Sequence, residues 1–160
     1  MTDGSNATTF KTLSDREIAM ERVFDAPREL VFAAYTDPAH IPHWWGPRGV
    51  TTTVDTMDVR PGGTWRFVHR DQDGAEYGFH GEYREVVPPE RLVSTFEFEG
   101  MPGHVLVDTA TFTEVDGKTK VTVTSLFASG EDLQGMMDSG MEAGARESWD
   151  RLAELLSTLR

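Results

Sequence analysis

In the run Thr64 to Arg70 the side chains of Trp65, Phe67 and His69 fall on one side of an alternating segment, so a histidine is expected among aromatic rings on the inward face of a strand. An inward imidazole serves as a general base or orients a ligand carbonyl. Tyr83, inward in the following strand by the same alternation, is the matching acid group. His69 and Tyr83 are therefore the candidate catalytic residues, set against the simpler reading of a buried histidine bonded to backbone. His40 and His43 form a close pair, but Pro42 interrupts it, and a chain with no cysteine offers no thiolate to complete a site. Asp71-Gln72-Asp73-Gly74 begins like a calcium loop yet lacks the later acidic ligand, and reads as a hairpin turn. No metal and no cofactor are expected. Phosphate-cradling glycine loops, a G-x-S-x-G elbow and an H-E-x-x-H helix are all missing from the sequence, which moves the expectation from catalysis towards binding.

The element that must position these side chains lies at the C-terminal end. Leu133, Met137, Met141, Ala145, Trp149, Leu152, Leu156 and Leu159 recur at steps of three or four, the spacing of one helix face. Ser129 with Asp132, and Ser139 with Glu142, are start signals, the second a capping box. The spacing predicts a short helix near 131–138, a break at Ser139 and Gly140, and a helix over 141–159 that is roughly 28 Å long. Glu142, Arg146 and Asp150 place opposite charges four apart on its outer face. Its inner face starts narrow and adaptable, with Met136, Met137, Gly140, Met141 and Gly144, and ends bulky, with Trp149, Leu152, Leu156 and Leu159. Methionine fits irregular volumes and glycine leaves space, so a cavity lining and simple gap filling compete there.

Residues 1–14 read as a polar, flexible tail, and 15–160 as a single domain. Arg16 to Phe24 alternates as a strand, with Arg22 on the apolar face seeking a carboxylate or reaching water. Asp25-Ala26-Pro27 starts a helix to about Thr36, and Asp37-Pro38 a second one through His43. Trp44 and Trp45 are adjacent and cannot both enter one core, so one belongs at a surface or a cavity rim. From Val50 the period is two, with turns at Arg60-Pro61-Gly62-Gly63, Asp71 to Gly74, Pro88-Pro89-Glu90, Gly100 to Gly103 and Asp116-Gly117. The inward face of the strand from His104 to Val115 is left undecided by its pattern. The expectation is an α+β domain with one strand, two short helices, a curved antiparallel sheet of about six or seven strands in all, and the long helix gripped by it. Trp44 or Trp45, Phe67, His69, Tyr77, Phe79, Tyr83, Phe96, Met137, Met141 and Gly144 are expected to line a space between sheet and helix.

The net charge of −12 repels phosphate backbones and anionic headgroups, so neither nucleic acid nor membrane insertion is expected. The N-terminal residues lack a basic start and an apolar core, which points to a cytoplasmic protein, and the glycosylation pattern Asn6-Ala7-Thr8 is discounted on that ground.

The order Arg22-Val23-Phe24-Asp25-Ala26-Pro27, Thr36-Asp37-Pro38, Trp44-Trp45-Gly46-Pro47, Arg60-Pro61-Gly62-Gly63-Thr64-Trp65, Gly81, Glu85-Val86-Val87-Pro88-Pro89-Glu90-Arg91-Leu92 and Gly144 with Leu152 resembles the Hsp90-ATPase-activator-homologue branch of the START/Bet v 1-like superfamily. The resemblance covers about residues 16–159 and implies a helix-grip fold with a cavity between sheet and C-terminal helix. It implies no shared catalytic residues. The leading expectation is a noncatalytic binder of a hydrophobic small molecule, a lipid-like compound or an aromatic metabolite. A polyketide cyclase or hydrolase and an Hsp90 interaction module are the alternatives. The Hsp90 activity is not expected without the companion domain that the eukaryotic activator carries, and a homodimer is left open.

Overall fold

Alternating runs separated by glycine and proline turns build one antiparallel sheet, and the computed structural model describes it across residues 7–159. Residues 1–6, including Asn6, and residue 160 lie outside the described residues. The elements in chain order are β1 (Thr9–Thr12), β2 (Glu17–Phe24), α1 (Arg28–Thr36), α2 (Ile41–Trp44), β3 (Thr51–Met57), β4 (Thr64–Arg70), β5 (Glu76–Val87), β6 (Arg91–Phe98), β7 (Leu106–Val115), β8 (Lys118–Leu126), α3 (Gly130–Asp138) and α4 (Met141–Leu159). The spatial order is β1-β2-β8-β7-β6-β5-β4-β3, so β2 crosses over to pair with β8 while α1 and α2 carry the chain to the far edge. This is the helix-grip arrangement, with eight strands where about six or seven were expected.

The additional strand is β1, which occupies part of the segment expected as a tail. It is held by the ladder from Thr9 opposite Glu21 to Thr12 opposite Ile18, with Phe10 packed against Ile18, Leu106, Phe127 and Leu133. A cationic group closes over it, because the Arg146 guanidinium lies 4.9 Å from the Phe10 ring.

Helix α4 crosses the concave side, with Trp149, Leu152 and Leu156 almost wholly buried. Trp149 meets Phe24 edge to face at 5.4 Å, and its Nε1–H donates to Tyr35 Oη at 2.8 Å. Truncating a leucine packed this deeply costs about 2–5 kcal/mol, so the C-terminal half of α4 anchors the fold. Arg22, expected to need a carboxylate, has one: its Nη1 donates to Asp150 at 2.7 Å, and its guanidinium sits over the Phe24 ring at 5.2 Å.

Two local expectations are corrected. Ser139 does not open α4 with a capping box; it ends α3, its hydroxyl donating to the Met136 carbonyl at 2.6 Å, and Gly140 at φ 87° turns the chain. The reason is that Ser139 sits at the last turn of α3, where both its N–H and its hydroxyl reach the Met136 carbonyl before the side chain finds the N–H of the next helix. Helix α1 begins after Pro27, whose carbonyl accepts from the Leu30 and Val31 N–H groups, with no side-chain cap. At the start of α3 the capping prediction holds, with Ser129 accepting from the Asp132 N–H. Among the described residues no helix is long and apolar enough to cross a membrane.

Candidate functional site

The turn after α2 decides which tryptophan enters the core. Trp44 is buried and its Nε1–H donates to the Ala34 carbonyl at 2.9 Å, which fixes the ring under α1. The next residue then points the other way. Ser148 on α4 donates to the Trp44 carbonyl at 2.9 Å and accepts from the Gly46 N–H at 3.1 Å, while Thr52 donates to the Trp45 carbonyl at 2.6 Å. Held at both flanks, Trp45 projects over the concave sheet and meets Phe67 at 5.0 Å, His69 at 5.0 Å and Phe79 at 5.4 Å.

Beyond this ring the sheet and α4 part. Three adjoining chambers lie along the concave side, of about 210 and 350 Å³ between the sheet and α4 and of about 460 Å³ between the sheet and α3. The deep one runs under Trp44, Trp45, Trp65, Phe67, Tyr83 and Phe96. The middle one passes Trp45, His69, Phe79, Phe96, Met141 and Gly144. The outer one reaches Tyr77, Phe98, Met101 and Val105 at the rim and Gly135 and Met136 on α3. The space exists because small residues face large ones: a Cβ built at Gly144 meets nothing within 4 Å. Of the residues singled out in the sequence, all but Met137 line a chamber. Met137 packs instead against the Ile18, Leu106, Phe127 and Leu133 cluster, and Met136 takes the lining position.

His69 is 8 % exposed, and its Nε2 is buried without a partner. It is wedged between Trp45 and Phe79, and Gly46 sits against it at φ 105°, where an added Cβ would fall 2.6 Å from Nε2. Burial, helped by the Arg151 guanidinium nearby, lowers its pKa to about 4. Arg151 itself is held by the Gly46 carbonyl at 2.9 Å. The imidazole is therefore neutral at physiological pH, a hydrogen-bonding group more than a proton acceptor. Burial pushes Tyr83 up from the ordinary phenol value, so it stays protonated too. Proton transfer by this pair near neutrality is disfavoured on both sides.

A polar row that the sequence pattern left hidden crosses the floor. Tyr83 on β5 stands opposite Ser94 on β6, Ser94 opposite Asp108 on β7, and Asp108 opposite Ser125 on β8. The Ser125 hydroxyl donates to Asp108 Oδ1 at 2.5 Å. Asp108 lines the deep and middle chambers, and burial raises its pKa to about 6 although the serine hydrogen bond opposes the shift. The signal for it was the inward set Leu106, Asp108, Ala110 and Phe112, a carboxyl in an otherwise apolar face.

The opposite face of the sheet is charged. Arg66 forks Glu99 through two 2.8 Å bonds, and His80 lies between Glu99 at 2.9 Å and Glu97 at 3.2 Å.

Comparison with known proteins agrees with this architecture. A crystal structure of a Mycobacterium smegmatis protein is similar at 30% identity, covering 93% of this chain and 96% of that one, with a TM-score of 0.84. A crystal structure from Rhodobacter sphaeroides is similar at 25% identity over 95% of this chain and 99% of that one, with a TM-score of 0.89. A solution structure from Arthrobacter aurescens gives 26% identity, 96% and 92% coverage and a TM-score of 0.88. An uncharacterised Schizosaccharomyces pombe protein is 26% identical over 118 residues, which are 73% of this chain; the match spans only 31% of that relative's length. Residues 25–157 match the family model described as activator of Hsp90 ATPase homolog 1-like protein. With most of its length inside that match and its fold shared with these structures over more than nine-tenths of the chain, the chain belongs to the activator of Hsp90 ATPase homolog 1-like family.

Proposed function

We propose that this protein binds a hydrophobic small molecule, without turning it over, in the space between the concave sheet and the start of α4. The observation that carries the reading is the open volume facing Gly144 beneath the Trp45, Phe79 and Phe96 rings. An apolar space of about 350 Å³, adjoined by one of about 460 Å³ under α3, is within the range of small-molecule sites, and its walls are largely formed by secondary structure. The neutral His69 supplies a hydrogen-bonding edge for orientation. The acid and base pKa values of Tyr83 and His69 are driven away from neutrality, which weighs against the cyclase or hydrolase alternative.

The test is thermal stabilisation by a neutral apolar probe, N-phenyl-1-naphthylamine. A ligand at a hundred times its Kd stabilises the native state by about 2.7 kcal/mol. Met141→Trp places an indole in the middle chamber and is expected to abolish that stabilisation. Unchanged stabilisation in the variant would put the ligand elsewhere. The competing reading, contact with Hsp90, takes its support from the family description alone. The expected outcome there is no stimulation of Hsp90 ATPase by the purified chain.

A further inference from the structure

We infer that the chamber floored by Asp108 recognises an organic ammonium group carried on an apolar body, a deepening that rests on the hydrophobic-ligand reading above. The geometry is that of a single carboxyl in an aromatic enclosure. Asp108 faces the same space as Trp44, Trp45, Trp65, Tyr35 and Trp149. Among the described residues no lysine or arginine lines any of the three chambers, so the carboxylate has no cationic side chain within the space it faces. Ser125 supplies one hydrogen bond, and a carboxylate has acceptor capacity for about four.

Three ligand chemistries compete for such a site. An anion meets a buried carboxylate and a chain of net charge −12, and is repelled. A neutral alcohol can donate one hydrogen bond but leaves the charge uncompensated. An ammonium donates hydrogen bonds, neutralises the carboxylate where the dielectric is low, and is attracted by the faces of the surrounding tryptophans. The apolar body then extends from the deep chamber past His69 and Gly144 towards the rim at Tyr77 and Met101.

In the deep and middle chambers the groups facing Asp108 leave it as the one whose charge changes between about pH 5 and 8, while Glu131, Asp132 and His104 face the outer chamber, which Asp108 does not line. Tyr35 on α1 and Tyr83 on β5 are both shifted upwards by burial and stay protonated. His69 on β4 stays neutral. From α4 come Ala145, Ser148 and Trp149, from β6 Ser94, and from β2 and β8 Met20, Val123 and Ser125, none of them charged.

The experiment is calorimetric titration of one skeleton with three head groups, 4-phenylbutylamine, 4-phenylbutanol and 4-phenylbutyrate, into the full chain and its Asp108→Asn variant. In the unsubstituted protein at about pH 7.5 the amine is expected to bind at least roughly tenfold more tightly than the alcohol, with the carboxylate weakest. Asp108→Asn is expected to erase the amine preference while leaving alcohol affinity within about twofold. Equal affinities for amine and alcohol, or a preference that survives Asp108→Asn, overturns the assignment. If that variant does not fold, the unsubstituted protein decides alone: the amine preference must shrink between about pH 7.5 and pH 5, and a preference flat over that range refutes it. Saturable alcohol binding with no amine advantage removes this inference and leaves the hydrophobic-ligand reading intact. Failure of both amine and alcohol to bind removes the two together.

Discussion

Ser125 and Asp108 occupy directly opposed positions on β8 and β7, and the serine hydroxyl donates to the aspartate Oδ1 at 2.5 Å within the hollow. One hydrogen bond does not offset the loss of water, so the carboxyl is held at about 6, above its ordinary 3.8. A raised folded-state value means that the native state favours the protonated form. The associated stability is complete below the unfolded value and is lost as pH rises through 6. The loss amounts to on the order of 3 kcal/mol at neutral pH. Asp108→Asn should therefore be more stable than the unsubstituted protein at about pH 7.5, with the advantage falling by about half near pH 5. Urea melts at the two pH values read this directly, and an advantage independent of pH would contradict it.

His69 carries the opposite sign. Its folded value of about 4 lies below the ordinary 6.5, so its contribution is fully present above 6.5 and is lost as pH falls through 4. By about pH 4 the loss approaches roughly 3 kcal/mol. His69→Gln removes that acid limb. Denaturant melts of the two proteins should diverge between neutral pH and about pH 4.5. Parallel curves would mean that the imidazole reaches solvent.

Gly144 lies within α4 facing open volume. Gly144→Leu gains up to about 0.8 kcal/mol in helix propensity and buries an additional side chain in the hollow. The unliganded variant should melt a few degrees higher, since about 1 kcal/mol corresponds to roughly 2–4 °C for a domain of this size. A lower melting temperature would show that the space is already filled.

Tyr35 accepts the Trp149 indole N–H at 2.8 Å, and Trp149 is 1 % exposed. Tyr35→Phe keeps the ring contacts with Trp44 and Phe112 and removes only the acceptor. The orphaned donor should cost about 1–3 kcal/mol in chemical denaturation. A neutral result would require another acceptor to reach the indole.

The grip of sheet on helix was legible because Trp149, Leu152 and Leu156 repeat at helical spacing and the strands alternate cleanly between turns. The aromatic wall followed from the same alternation on β4 and β5. What escaped did so for physical reasons. On β7 a charged residue stands among inward apolar ones, and valine and threonine occupy the outward positions, so neither face reads as the core. Strand β1 is mostly threonine and lysine, and its pairing comes from the ladder with β2 and the contact of one half-buried phenylalanine. Met136 and Met137 both satisfy a step of three or four from Leu133, so the spacing alone does not say which one meets the hollow, and in the structure it is Met136.

The central claim is that the rings of Trp45, Phe79 and Phe96 and the backbone at Gly144 bound a space that an apolar molecule fills. A fluorescence titration of N-phenyl-1-naphthylamine into the unsubstituted protein and Gly144→Leu tests it most directly. The account predicts saturation at one molecule per chain in the former and affinity weakened at least roughly tenfold in the latter, about 1.4 kcal/mol. Equal binding by the two proteins, or no saturable binding by the first, would contradict it.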